Sequence, residues 1–212
     1  THKFTGKGLP DEAWSAVFNM YFETWLVTTL LAEIRPAIRD GFEIQLGDEF
    51  ENRLKALFDI EVPIGTLRAL AEYLTALRRQ TDYIVNQSAI TRNLDNLEIP
   101  FSNGSLLFGI PDLLADMFEV LRNPTFVYLI DELENFTAEQ QRFLNTLIRY
   151  RKGKATIKVG ARLYGIRTYS TLGSGERIKA GSEYDEVVLD EFLRRHEGEY
   201  RKFSVELVLR RL

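Results

Sequence analysis

The sequence contains no cysteine and only two histidines in 212 residues. Without thiols the chain can form neither disulfide bonds nor thiolate zinc sites. The two histidines are far apart and have no partner at a metal-ligand spacing, so we predict no imidazole metal site. The lack of cysteine fits a reducing compartment, and we expect a cytoplasmic protein.

The chain also lacks a strong charge excess and a long uninterrupted apolar run. The formal net charge is −4, so the overall composition does not indicate a nucleic-acid partner. Glu12, Glu23 and Glu33 interrupt the most apolar stretch, which excludes it as a membrane span. The hydrophobic fraction of 45% allows a sizeable core, either one α/β domain with an insertion or two small domains.

The first half of the chain is predicted to be helical. Aromatic and aliphatic residues recur at spacings of three and four from Trp14 to Leu26, which is typical of a wide apolar helix face. We expect Pro36 and Gly41 to end this helix, and we expect Thr66 to cap a later one. Residues 1–104 are therefore assigned to a mainly helical part, with no chemistry that the sequence identifies.

The second half alternates between short apolar runs and amphipathic stretches. The predicted strands are Ser105–Gly109, Phe126–Ile130, Ala155–Val159 and Glu186–Leu189. A helix opens at Pro111, and a capping box of Thr137 and Gln140 opens another. This alternation predicts an α/β fold, with a three-layer core around a parallel sheet over residues 105–193.

The run Phe126–Ile130 is the most distinctive stretch, because two adjacent carboxylates, Asp131 and Glu132, follow it directly. Five apolar or aromatic residues in succession predict a strand that is buried on both faces. Ligands of open α/β sheets bind at the carboxyl ends of the strands, where these two acids would lie. One carboxylate suits a hard cation, and the next would point to the other side and reach a water molecule. The alternative is an ordinary strand exit into a turn.

Residues 127–132 resemble the Walker B strand of P-loop NTPases of the AAA+ and STAND kind. Residues 156–162 resemble the next strand of that core, whose end carries a sensor residue. Residues 184–189 resemble the last core strand, Asp190 the turn after it, and residues 194–212 the start of a lid or tail. The similarity is closest to bacterial and archaeal relatives of the origin-recognition ATPases. Their sensor is commonly Asn, whereas STAND proteins commonly have Arg, as at Arg162.

The resemblance implies an ATPase core that acts as a switch or motor, with ATP and Mg²⁺ as cofactors. Asp131 would hold Mg²⁺, Glu132 would orient or deprotonate the attacking water, and Arg162 would sense the terminal phosphate. Arg167 is a further candidate for contact with the nucleotide, or for an arginine finger in a neighbour's site. Because this class completes its site between subunits, we expect a homo-oligomer in which Arg167 or Arg177 contributes.

A basic segment supports this interpretation from the residues alone. Eight Lys or Arg residues and no Asp or Glu occur from Arg142 to Arg167. Phosphoryl transfer needs positive charge near the terminal phosphate. The alternative is that these cations have a structural role, because positive charge at the C-terminal end of the helix near Arg149 interacts favourably with the helix dipole. The hypothesis of nucleic-acid binding rests on this segment alone.

Glu134, two residues after Glu132, is predicted to be a solvated turn residue.

The Walker A pattern, Gly-x₄-Gly-Lys-Ser/Thr, is absent from the 212 residues. Thr5–Gly8 resembles a phosphate loop only faintly and is predicted to be a polar loop. Three functions therefore stay open. In the first, the chain belongs to an ATPase. In the second, it belongs to an NTPase-like scaffold that lacks a working phosphate loop and binds DNA or a protein partner. The third is a regulatory helical protein whose α/β half is only structural.

Overall fold

The computed structural model describes residues 3–59, 63–189, 191 and 197–210, in two compact units, Thr1–Arg177 and Ile178–Leu212. The described helices of the first unit are α1 Asp11–Ile38, α2 Gly47–Leu57, α3 Leu67–Thr91, α4 Ser105–Met117, α5 Glu119–Arg122 and α6 Ala138–Arg149. Its strands are β1 Phe126–Ile130 and β2 Ala155–Val159. The second unit contains α7, Glu197–Leu209.

The helical first half is confirmed. Thr66 caps α3, since its side chain accepts a hydrogen bond from the Ala69 amide at 3.0 Å. Helix α1 ends at Ile38, between Pro36 and Gly41 as predicted, and Pro36 itself lies inside the helix. Pro36 lies in the last turn, where the missing N–H removes one hydrogen bond but leaves the helix end in place.

The predicted strand Ser105–Gly109 is wrong, because these residues form the first turns of α4. A short apolar run cannot distinguish a buried strand from a buried helix. Two contacts with residues far along the chain stabilise the helix, one from Glu23 and one from Tyr128. The buried Glu23 carboxylate of α1 accepts hydrogen bonds from the Gly104 and Leu107 amides at the helix start.

Pro111, inside α4, leaves the Leu107 carbonyl without its usual helical donor. The Tyr128 hydroxyl of β1 donates to that carbonyl at 3.1 Å. The proline is therefore tolerated because the neighbouring strand supplies the missing hydrogen bond. The same contact fixes α4 against the strand that leads to the two carboxylates.

Strands β1 and β2 are parallel neighbours, as predicted, and their register runs from Phe126 opposite Ala155 to Ile130 opposite Val159. Helix α6 connects them and begins with the predicted capping box of Thr137 and Gln140. The parallel order places the carboxyl ends of both strands at the same edge. Asp131 and Gly160 therefore leave the sheet side by side.

The sheet is smaller and more exposed than the sequence predicts. In the described residues only β1 and β2 form named strands, and residues 186–188 are irregular, so the predicted strand Glu186–Leu189 is wrong. Asp190 lies outside the described residues. Strand β1 is buried on one face only, since Val127 is 43% and Leu129 75% exposed. The described part therefore lacks the third layer of the predicted core.

One hydrophobic core extends through the first unit, from Phe4 to Ala155. Aromatic rings join its parts: Phe18 and Phe22 of α1 lie edge-on to Phe136 and to Phe143 of α6. This packing holds the start of α6 and the turn before it against the long first helix. No described helix combines the length and hydropathy that crossing a bilayer requires.

Candidate functional site

The exits of β1 and β2 are joined by backbone hydrogen bonds. The Gly160 amide donates to the Ile130 carbonyl at 2.7 Å, and the Leu133 amide donates back to the Gly160 carbonyl at 3.1 Å. Asp131 and Glu132 lie between these two bonds and are both exposed. The two acids are therefore anchored on both sides and open to solvent.

The Asp131 carboxylate lies against Gly160. A Cβ atom at Gly160 would collide with Asp131 Oδ1, so only glycine allows this approach. Oδ1 accepts a hydrogen bond from the Glu132 amide at 2.8 Å. Within the described chain, no hydrogen bond or ion pair occupies Oδ2 of Asp131.

This donor set fits Mg²⁺ bound to a phosphate ligand. Mg²⁺ prefers one or two carboxylates and completes its octahedron with phosphate oxygens and water. Asp131 offers an exposed carboxylate of this kind. In the described residues, no three His, Asp or Glu side chains converge as an all-protein metal cage would require.

Glu132 has a backbone φ of 57°, in the left-handed region that non-glycine residues seldom adopt. Such a conformation costs about 1–3 kcal/mol and is maintained by its surroundings. Its Oε2 accepts a hydrogen bond from Asn135 Nδ2 at 2.9 Å. Strand β1 has already ended at Ile130. This turn therefore sets the direction of the Glu132 side chain, which the sequence attributed to the alternation of side chains along a strand. Asn135 was missed in the sequence; its only signal is an amide three residues after the acid.

Arg162 follows β2 by three residues and lies against the turn after the acid pair. Its Nε is 3.2 Å from Glu134 Oε1, and its backbone amide donates to Glu134 Oε2 at 3.3 Å. The Arg162 side chain is 86% exposed. The structure thus brings Arg162 to the same strand edge as Asp131 and Glu132, through Glu134.

Glu134 also contacts the second candidate arginine. Arg167 donates from its guanidinium to the Glu134 carbonyl at 3.0 Å. Gly165 packs directly on Glu134, since a Cβ atom at Gly165 would lie 2.7 Å from that of Glu134. The prediction that Glu134 is a solvated turn residue is wrong, because the loop after β2 folds back onto it.

The buried side chain of Gln141, on α6, holds the two loops together. Its Nε2 donates to the Leu133 carbonyl at 3.1 Å and to the Gly165 carbonyl at 2.8 Å. Its Oε1 accepts from the Arg167 amide at 2.8 Å. The sequence contained one signal for this role, a glutamine at an inward position of an amphipathic helix.

Further polar side chains of α6 bind the irregular segment after Arg167. Asn145 donates to the carbonyls of Thr168 and Ser170 at 3.0 and 2.9 Å. Arg142 donates to the Thr171 carbonyl at 2.9 Å and forms an ion pair with Glu139. Arg142, the first residue of the basic segment, therefore has a structural role, different from the helix-dipole role that the sequence suggested for the cations near Arg149.

A buried carboxyl group lies behind β1. Burial raises the pKa of Glu23 to about 7, although hydrogen bonds from the backbone amides of residues 104, 106 and 107 act in the opposite direction. Burial, together with the nearby Glu23, also raises the pKa of Tyr128. The helix–strand contact behind the site therefore contains a group that titrates near neutral pH.

The first unit is thus a mainly helical α/β domain whose parallel strand pair ends in two carboxylates, with an arginine held at the same edge through Glu134. The model of the ORC-CDC6-like family matches residues 1–212. The chain therefore belongs to the ORC-CDC6-like family, an AAA+-related family of origin-recognition-like ATPases. A search of curated proteins and a search of solved structures found no match.

Proposed function

We propose that this chain forms part of an ATP-binding and ATP-hydrolysing AAA+/STAND-like core that acts as a switch or motor. The observation behind the proposal is the shared carboxyl edge of β1 and β2, where Asp131 and Glu132 follow one strand and the loop with Arg162 follows the other. Asp131 is exposed and has one free oxygen, Glu132 is set by a strained turn, and Arg162 is held by Glu134, two residues after Glu132. The family to which the chain belongs typically binds ATP and Mg²⁺.

Each residue has a distinct proposed role. Asp131 would hold Mg²⁺, which supplies positive charge to the phosphate oxygens. Glu132 would accept a proton from the attacking water or orient it. Arg162 would stabilise the negative charge that shifts onto the leaving oxygens. Arg167 would contribute to nucleotide binding from the same loop, which its contact with the Glu134 carbonyl fixes.

The proposal requires a phosphate-binding loop that the 212 residues do not contain. Backbone amides that bind the phosphates would have to come from another segment of the protein or from a bound partner. The exposed face of β1, with Val127 and Leu129, is apolar and lies beside the site. Covering it would bury surface that favours association.

The alternative is an NTPase-like scaffold that binds DNA or a protein and does not turn over nucleotide. The missing phosphate loop and the exposed β1 face favour it. Family membership suggests protein or DNA partners as well. Three cations of the basic segment, Arg142, Arg149 and Arg162, form ion pairs within the chain. These internal pairs favour a protein partner over DNA.

The catalytic proposal is tested with Glu132→Gln in the full chain. The amide keeps the shape of the side chain and loses the basic oxygen. Nucleotide binding should therefore persist while hydrolysis falls by about 10²–10⁴-fold. Glu119→Gln is the matched control, because Glu119 is an exposed acid on α5, away from the strand edge.

Two results would overturn the assignment in different ways. Hydrolysis at the wild-type rate by Glu132→Gln would show that Glu132 is not the catalytic carboxylate. If the wild-type full chain neither binds nor hydrolyses nucleotide, the scaffold function is correct instead. Asp131 and Glu132 are then an ordinary strand exit.

A further inference from the structure

Glu134 contacts Arg162 at two points, and both contacts involve the same carboxylate. Oε1 pairs with the side-chain Nε at 3.2 Å, and Oε2 accepts from the backbone amide at 3.3 Å. A guanidinium group has five N–H donors. Among the described residues, nothing pairs with the two terminal nitrogens of Arg162. The Arg162 side chain as a whole is 86% exposed.

The Glu134 side chain is itself held in place. It belongs to the 3₁₀ turn Leu133–Asn135 that follows the acid pair, and it is only 24% exposed. Gly165 packs against its Cβ, and Arg167 binds its carbonyl. The buried Gln141 fixes the residues on both sides of this contact. The carboxylate therefore offers Arg162 a fixed point of attachment.

We propose that Glu134 is a positioning residue, which presents the terminal nitrogens of Arg162 to a phosphate-bearing ligand at the ends of β1 and β2. This inference rests on the proposed function and adds the residue that orients its cation. Glu134 does not touch the ligand. It acts through Arg162 and leaves the phosphate-facing side of the guanidinium free.

The effect is one of orientation more than of stability. Ion pairs at exposed positions contribute little to folding, and Arg162 is highly exposed. A free arginine, however, loses rotamer freedom when it binds a phosphate. Pairing one edge with a fixed carboxylate removes part of that loss before the ligand arrives. The negative charge of Glu134 opposes the phosphate charge, so orientation must outweigh this repulsion.

The test measures steady-state ATP hydrolysis by the full chain with Glu134→Ala, Arg162→Ala and the double variant. Alanine keeps the Cβ atom that packs against Gly165. Glu134→Gln is the conservative variant, since its amide oxygen still accepts a hydrogen bond from Arg162. Glu139→Ala is the control, because Glu139 also pairs with an arginine, Arg142, but has no hydrogen bond or ion pair to Glu134 or Arg162 among the described residues.

We expect Glu134→Ala to lower kcat by about threefold to tenfold and to leave KM within about twofold, as for loss of a group that acts in the transition state. Glu134→Gln should recover part of the loss, and Glu139→Ala should have no effect. In the Arg162→Ala background, removal of Glu134 should cause no further loss. The proposal would be overturned if Glu134→Ala had the kcat of the wild type. It would also be overturned if removing Glu134 lowered kcat as much in the Arg162→Ala background as in the wild type.

A second readout separates this proposal from the proposed function. In ¹⁵N spectra of the protein without nucleotide, the Arg162 Nε–H signal should shift toward the position of a free arginine in Glu134→Ala but not in Glu139→Ala. If the wild type hydrolyses no ATP, the proposed function fails and this signal decides the positioning role. An unchanged signal in Glu134→Ala overturns the positioning role whether or not ATP is hydrolysed.

Discussion

At the residue scale, Glu23 links three elements, α1, α4 and β1, that are far apart in the sequence. It belongs to α1, caps the start of α4 and lies near Tyr128 of β1. Its side chain is fully buried, so its charged form is costly in spite of the amide donors. The cap therefore carries a proton through much of the acidic and neutral pH range.

The pKa of Glu23 predicts how stability depends on pH. The folded-state pKa is about 7, above the ordinary 4.5, so the folded chain binds a proton more tightly than the unfolded chain. The stabilisation is complete below about pH 4.5 and is lost as the pH rises through 7. In Glu23→Gln this dependence should disappear, and the difference from the wild type should change by roughly 3 kcal/mol across that range.

Urea unfolding of the wild type and Glu23→Gln at pH 5 and pH 8 measures this change. Glu33→Gln is the control, because Glu33 is an exposed glutamate of the same helix. A constant difference between the wild type and Glu23→Gln at both pH values would show that Glu23 does not titrate in this range.

At the element scale, α6 connects the two strands and also binds the loops that leave them. Its apolar face carries Phe143 into the core, and its polar side chains bind the backbone of residues 165–172. An irregular segment needs such partners, because its backbone groups have no ladder or helix to satisfy them. The same helix therefore shapes the site and stabilises it.

Gln141→Leu should destabilise the protein by about 2–3 kcal/mol. Leucine fills a similar volume but leaves the Gly165 carbonyl and the Arg167 amide without a partner, and the Leu133 carbonyl keeps only the Phe136 amide. Gln87→Leu, at an exposed position of α3, is the matched control and should change stability by less than about 0.5 kcal/mol. Equal unfolding midpoints for the two variants would show that the Gln141 clamp does not stabilise the fold.

Whether each element could be predicted from the sequence depends on whether its stabilising contacts are local or come from distant parts of the chain. The capping box at Thr137 and the cap at Thr66 were predictable, because all the groups involved are within four residues. The first turns of helix α4 were mistaken for a strand, because its start depends on Glu23, about eighty residues earlier in the chain. Glu134 and Gln141 were missed for the same reason. Their partners come together only when β2 pairs with β1.

At the scale of the whole molecule, the first unit consists mainly of helices and contains a two-stranded parallel sheet. The apolar run at Phe126–Ile130 predicted a strand covered on both faces, and only one face is covered in the described part. The sequence pattern was that of a central strand, and Val127 and Leu129 are the residues that would be buried in one. Homo-oligomerisation, with Arg167 or Arg177 in a neighbour's site, remains a prediction.

The central claim is that Asp131 holds the cation of a bound nucleotide. Asp131→Ala removes the exposed carboxylate beside Gly160 and leaves the backbone bonds of the strand exits in place. Asp95→Ala, which removes an exposed acid after α3, is the control. Calorimetric titration of the full chain with ATP, with Mg²⁺ and with EDTA, separates the contribution of the cation from that of the nucleotide.

We expect the wild type and Asp95→Ala to bind ATP more tightly with Mg²⁺ than with EDTA. Asp131→Ala should bind equally in both conditions, because it lacks the carboxylate that holds the cation. If Asp131→Ala retains the full gain from Mg²⁺, the cation is bound elsewhere and the account of this site is contradicted.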